Sequence, residues 1–296
     1  MKYQDLEPKK KPSRTATSLK AGIRNADTGE PEQITTWTVC GSVLVAALQR
    51  RKGVDGQPMI RLKGGAYLEW SMHPHSRSTQ DIDTFYTETA DELHVFLGES
   101  LAESLGLFTF NVKPGDREMQ VDLAAVNPRQ YEIQVFFANS LLRKIKLEVS
   151  FAEGAVATVV GSVPAPRLEP FGVETPIDQF ASIAPEYQVA QKLHACTGPG
   201  RATRERDVLD IHLLKQNVFD QVRGTAGLHD ACKDVFESRA KTAAAVGVVA
   251  ASWPVEVERH LDWGTDYGAL AHDLGIAVAL DEAISEINAW IREFAC

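Results

Sequence analysis

The spacing of apolar positions changes character several times along this chain. From Glu32 to Arg50, Ile34, Trp37, Val39, Val43, Leu44, Ala47 and Leu48 recur at helical intervals, and Gly53 with Gly56-Gln57-Pro58 breaks the run. Met59–Leu62 is a short strand candidate closed by Gly64-Gly65, with a helix-like stretch beginning near Ala66. Asp81–Phe85 reads as a second strand, and Asp91–Leu105 as an amphipathic helix stopped at Gly106. Three extended segments follow, Phe108–Val112, Met119–Val126 and Tyr131–Phe137. Lys144–Phe151 alternates strictly, with Lys144, Lys146, Glu148 and Ser150 on one face and Ile145, Leu147, Val149 and Phe151 on the other. Such a half-polar pattern predicts a strand buried on one side.

Strands interleaved with helices in this way predict an α/β domain with a mixed sheet and flanking helices. The proline-rich stretch Val163–Pro176 reads as a linker or crossover. Beyond it strand signals fade, and helical patterns fill 185–197, 203–217, 229–249 and 270–294. The expected division is therefore residues 1–165, N-terminal helices plus the α/β domain, and 166–296, an α-helical C-terminal domain. Residues 1–14 carry Lys2, Lys9, Lys10, Lys11 and Arg14 and almost nothing apolar. They read as a flexible basic arm or an ordered tail on the surface.

Composition adds a few bounds. With 296 residues, 44% hydrophobic and 24% charged, the chain has room for two cores and is neither fibrous nor wholly disordered. Four scattered cysteines without a C-x-x-C pair argue against a disulfide framework or zinc ribbon. The N-terminus lacks the apolar core of a signal peptide, and the longest small-apolar run, Ala243 to Ala251, is too short to span a bilayer. A cytoplasmic protein without a membrane partner is expected. The net charge of −9 argues at first sight against nucleic acid.

Asp81-Ile82-Asp83 is the first candidate for chemistry. On a strand both carboxylates share a face, where they invite a divalent cation or stand as solvated acids. Lys63-Gly64-Gly65 at a strand-to-helix junction offers backbone amides to an anion, or is a tight turn. Glu148 supplies a third carboxylate, with Asp122 as a competitor on a less regular stretch. In the helical half, Lys192 borders the Val189/Leu193 stripe, and Arg206 and Asp210 share a helix face at i,i+4. His73-Pro-His75 lacks a third zinc ligand, and His194 reads as a packed or hydrogen-bonded helix residue. No Walker, dinucleotide or nucleophile-elbow motif is present.

Taken in order, Leu62-Lys-Gly-Gly65, Asp81-Ile-Asp83, Lys146-Leu-Glu148, Gln191-Lys-Leu-His-Ala195 and Arg206-Asp-Val-Leu-Asp210 resemble the AbiEii-type nucleotidyltransferase toxins. That group includes the mycobacterial MenT toxins, within the DNA polymerase β-like superfamily. The resemblance runs from about Ser18 to Leu214 and implies a nucleotidyltransferase-type mixed sheet. It implies Asp81, Asp83 and Glu148 as ligands of a two-Mg²⁺ site, and Lys63, Gly64 and Gly65 as the cradle of an NTP triphosphate. Lys192 matches the family's helix lysine, suited to offsetting charge on the triphosphate and pyrophosphate, and Asp210 its late aspartate. Arg206 would orient Asp210 or touch phosphate. Gln191 stands where many members have Glu, which excludes a carboxylate role there, and Gln80 replaces a frequently charged position.

The expected activity is transfer of NMP from an NTP to an RNA 3′ end, with tRNA as acceptor, in a toxin neutralised by a cognate antitoxin. Protein NMPylation and NTP binding without catalysis on the same fold are the rivals. Modification at Ser78 or Thr79 would add like charge beside the carboxylates. The basic clusters at the N-terminal arm, at Arg143-Lys144-Lys146 and at Arg201-Arg204-Arg206 would form a positive track for RNA on an acidic body.

Overall fold

The computed structural model describes residues 2–73, 79–118, 128–151, 153–198, 201–245 and 247–295. Two helices lead the chain, α1 (Ala16–Asn25) and α2 (Glu32–Leu48). α2 is apolar around its whole circumference and is correspondingly interior, with Trp37 and Val39 to Leu48 buried on all sides. Then come β1 (Ile60–Lys63), α3 (Gly64–Met72), β2 (Asp81–Tyr86), α4 (Leu93–Ala102), β3 (Phe108–Glu118), β4 (Arg129–Phe137) and β5 (Ser140–Phe151). The strand read over Met119–Val126, including Asp122, lies outside the described residues, as do Ser78 and His75.

β6 (Val160–Pro164) and β7 (Gln179–Ile183) complete a seven-stranded mixed sheet in the order β3-β4-β5-β2-β1-β7-β6. β2 runs parallel to β5 and antiparallel to β1, while β7 lies parallel to β1. The sheet thus continues past residue 165. The proline-rich stretch is a crossover that returns the chain to the sheet, where Phe180 and Ile183 are fully buried. β7 carries little strand signal because Ala181 and Ser182 interrupt its apolar alternation.

The sheet's orientation decides where the chemistry sits. Ile82 is fully buried against α2, close enough that a Cβ on Gly41 would stand 3.2 Å from its Cδ1. With Ile82 held on the α2 side, the side chains of Asp81 and Asp83 emerge on the opposite face. The alternation of β5 does the same for Glu148, since Ile145, Leu147 and Val149 are fully buried.

From Pro185 onward the described residues form helices and connections: α5 (Pro185–Thr197), α6 (Glu205–Leu214), a π-helical segment (Lys215–Arg223), α7 (Leu228–Ala245), α8 (Thr265–Asp273) and α9 (Leu280–Phe294). The helix expected across 270–294 is two helices, because Gly275 takes a left-handed φ of 66° between them. α5 packs on α6 and α7, and α6 on α8 and α9.

The N-terminal arm is ordered and reaches further in than a surface tail. Lys2 is fully buried, its Nζ 2.5 Å from Glu69 and 3.0 Å from Glu30. Burial pushes the Glu69 carboxyl above its ordinary range while Lys2 pulls it down. Lys2→Ala leaves Glu69 buried without its cation, so it is expected to cost about 3–5 kcal/mol, read as a lowered urea midpoint. Lys2→Arg is expected to restore part of that loss.

Candidate active site

Three adjacent strands set the core of the site in one row. Lys63 pairs in register with Asp83 across β1 and β2, and Asp83 with Glu148 across β2 and β5. Residues opposite one another on neighbouring strands project to the same side, so lysine, aspartate and glutamate stand shoulder to shoulder. The next row pairs Asp81 with Lys146, whose Nζ lies 3.3 Å from Asp81 Oδ2, and Lys146 with Glu132. Gln130 on β4 donates to Glu148 Oε2 at 3.2 Å and orients it.

The two glycines bring the backbone against these acids. Gly65 N–H donates to Asp83 Oδ2 at 3.3 Å, and Gly64 N–H to Gln188 Oε1 of α5 at 3.1 Å. Gly64 has a φ of 60°, and a Cβ there would fall inside the Asp83 carboxylate. A Cβ on Gly65 would stand 2.7 Å from Thr79 Oγ1. Neither position has room for a side chain. The amides read from sequence as a phosphate cradle are thus held by Asp83 and Gln188.

Opposite the sheet, α5 presents Lys192. Its Nζ lies 2.8 Å from Asp207 Oδ1 and 2.7 Å from Asp210 Oδ2, both on α6. Burial works against the ammonium's charge, but the two carboxylates more than reverse that and raise its pKa. Asp207 also faces Arg204, with Nη1 at 3.5 Å. Asp83 has the contrary problem. Its pKa is raised, chiefly by burial and further by the Glu148 charge, against the pull of Lys63, the Gly65 amide and Lys192.

Between sheet and helices lies a cleft of about 480 Å³. Lys63, Gly64, Gly65, Asp83 and Glu148 form its sheet wall, and Gln188, Lys192 and Asp207 stand on the helical side. Of the residues that the sequence assigns to the metal and triphosphate site, Lys63, Gly64, Gly65, Asp83, Glu148 and Lys192 converge here, and Gln191 and His194 line the same cleft. Asp81, Arg206 and Asp210 are not among the described residues lining the cleft. Asp81 is half-exposed beside Lys146, Asp210 is fully buried behind Lys192, and Arg206 is exposed, with Arg204 on the wall instead.

Sequence reasoning missed Gln188 and Asp207, and it assigned Arg204 to the RNA track rather than to the cleft wall. Gln188 stands one helical turn before Lys192, a spacing that signals a shared face. Asp207 is inside the quoted Arg206–Asp210 motif, but nothing local says that it shares a lysine with Asp210. His194 packs against Phe236 with ring centroids 4.9 Å apart, and its Nδ1 meets Arg239.

The described residues hold no group of three carboxylate, imidazole or thiolate ligands already gathered about one point. Asp83 and Glu148 are neighbours, while Asp81 is drawn toward Lys146. All three are oxygen donors, the set a hard divalent cation takes. The upward push on Asp83 from burial and from Glu148 is the repulsion that such a cation relieves.

A mixed sheet with an acid row on one face, a glycine pair at the end of β1 and a helix lysine opposite is the arrangement of a nucleotidyltransferase fold. Residues 46–287 match the model of the AbiEii nucleotidyltransferase toxins of type IV toxin–antitoxin systems, and the chain belongs to that family. It is a nucleotidyltransferase toxin of a toxin–antitoxin system. Among solved structures it is similar to MenT4, a nucleotidyltransferase toxin from Mycobacterium tuberculosis H37Rv. The TM-score is 0.54 at 14% identity, covering 94% of this chain and 88% of that one, a likeness of fold. No curated protein matches the sequence. No helix among the described residues is long and apolar enough to cross a membrane.

Gly64→Ala is expected to displace Asp83 and to lower nucleotide transfer about 10²-fold, as a shift of about an ångström at a reacting group does. Gly98→Ala, in α4 with open space around it, is the control. It is expected to keep full activity and to melt slightly higher, read by a thermal scan beside the transfer assay.

Proposed function

We propose that this chain transfers a nucleoside monophosphate from an NTP to the 3′-hydroxyl of RNA, with tRNA as the acceptor and pyrophosphate as the leaving group. A blocked acceptor end cannot be aminoacylated, so translation stops until a cognate antitoxin intervenes. The observation that carries this reading is the Lys63–Asp83–Glu148 row facing Lys192 across a single cleft.

The roles follow from charge and position. Mg²⁺ held by Asp81, Asp83 and Glu148 would supply Lewis-acid clamping of the attacking and leaving oxygens. Lys63 and Lys192 offset the triphosphate's charge from opposite walls, and Asp207 and Asp210 keep Lys192 protonated for that task. The Gly64 and Gly65 amides, donating to Gln188 and Asp83, fix the backbone beside the same acids. Asp210 acts from behind Lys192, orienting it rather than touching substrate. Four cations of the RNA track carry acidic partners, Lys144 with Glu132, Lys146 with Asp81, Arg201 with Glu258 and Arg204 with Asp207. Phosphate contact there means exchanging a carboxylate for a phosphate, and strong salt dependence is expected.

The test is incubation of the purified chain with each labelled NTP, Mg²⁺ and total tRNA. Label at RNA 3′ ends, lost in Asp81→Ala, is the expected result. Label in protein instead would point to NMPylation, and no transfer with any of the four NTPs would refute the proposal.

A further inference from the structure

Three elements meet at one guanidinium on the cleft wall. Arg239 of α7 grips both carboxylate oxygens of Glu153, through Nε to Oε1 and through Nη2 to Oε2 at 3.3 Å. Its Nη1 donates to His194 Nδ1 at 3.0 Å. Arg239, Glu153 and His194 line the same cleft as Asp83 and Lys192. Glu153 lies two residues beyond β5, the strand of Glu148, and His194 lies two residues beyond Lys192 on α5. The guanidinium therefore joins the carboxylate strand to the lysine helix.

A second rung repeats the connection. Asp234, also on α7, accepts from the Ala155 N–H at 2.7 Å and from the Tyr187 hydroxyl of α5 at 3.1 Å. Gly154 leaves the space, since a Cβ there would fall inside the Asp234 carboxylate. Two side chains of opposite charge on one helix thus each bridge the segment after β5 to α5. The Arg239 rung does not loosen with mild acid. Burial, and then the Arg239 charge, push the His194 pKa down to about 3, so Nδ1 remains an acceptor.

We propose that Arg239 is a positioning residue for the transfer reaction: by holding Glu153 and His194 together it fixes the span between the Asp83–Glu148 acids and Lys192. The proposal rests on the nucleotidyl-transfer reading above. A bound triphosphate tolerates a small change in that span, whereas in-line attack does not, so the effect falls on kcat rather than on KM.

The experiment compares the full chain with Arg239→Ala and Arg239→Lys in steady-state transfer to tRNA. Arg239→Ala is expected to lower kcat about 10²-fold with KM for NTP within about threefold of the parent. Arg239→Lys, which keeps the charge opposite Glu153 and loses the fork, recovers part of the rate. Adding Arg239→Ala to Lys192→Met is expected to cost little more, because the arginine acts through the lysine's placement. An unchanged kcat, a loss confined to KM, or fully additive losses would each overturn the proposal. A distance measurement needs no turnover: spin labels at Lys144→Cys and Thr203→Cys, both exposed, in a Cys296→Ser background. The native Cys40, Cys196 and Cys232 are buried. Arg239→Ala is expected to shift or broaden the interspin distance, and an identical distribution overturns the proposal. A parent chain that transfers no nucleotide would refute the functional reading, leaving the distance to decide the positional one.

Discussion

Asp83→Asn is expected to lower nucleotide transfer by about 10³-fold, a loss of about 4 kcal/mol in transition-state stabilisation, without destabilising the fold. The asparagine keeps the shape and retains an oxygen for the Gly65 amide, so the contact that seats the glycine pair survives. What disappears is the charge. Asp83 stands in register with Glu148, and both burial and that neighbour disfavour its ionised form. A carboxyl whose pKa is raised on folding contributes stability that is present at low pH and lost as pH rises through the folded value. Keeping Asp83 ionised in the folded chain is therefore unfavourable, and removing the ionisable group should leave the melting temperature equal or higher. Activity and stability are expected to move in opposite directions, as they do where function requires a strained site. A thermal scan beside the transfer assay checks both. Retained activity in Asp83→Asn would remove this residue from the chemistry.

Lys192→Met is the second large effect, and here stability and activity fall together. The substitution takes an ammonium from two carboxylates, one of them fully buried, and a loss of about 3–5 kcal/mol is expected in the urea midpoint. Transfer is expected to drop about 10²–10³-fold, the range for removing a fixed positive group from a developing charge. The two effects separate in the double variant. Lys192→Met with Asp210→Asn removes the buried acid's charge as well, so most of the stability should return while transfer stays lost. Recovery of activity along with stability would mean that Lys192 is a structural cation only.

Local pattern carried much of the site. The strict alternation of Lys144–Phe151 announced which side of β5 is buried, and the i,i+2 spacing of Asp81 and Asp83 placed both on one face. The burial of Ile145, Leu147, Val149 and Ile82 agrees with those readings. α5 begins and ends where its proline and glycine punctuation indicates, at Pro185 and Thr197. The i,i+4 spacing of Arg206 and Asp210 was a weaker guide. Both are on α6, yet Asp210 turns inward to Lys192 while Arg206 stays exposed.

Contacts between residues distant in the chain left no such trace. Lys2 meets Glu69 across 67 positions, Arg239 meets Glu153 across 86, and Lys192 meets Asp207 across 15. β7, short and broken by small residues, joins the sheet only because β1 and β6 offer it edges. Local pattern was enough for the strands of the acid row, for α5 and α6, for the faces that carry the acids and, through five motifs in order, for the family. A strand or helix writes its own burial into its period, so those features are local. The tertiary structure decided which acids meet in one cleft, which lie outside it, and what holds Lys192 opposite them. Those depend on the simultaneous packing of sheet, crossover and C-terminal helices, which no single element's periodicity encodes.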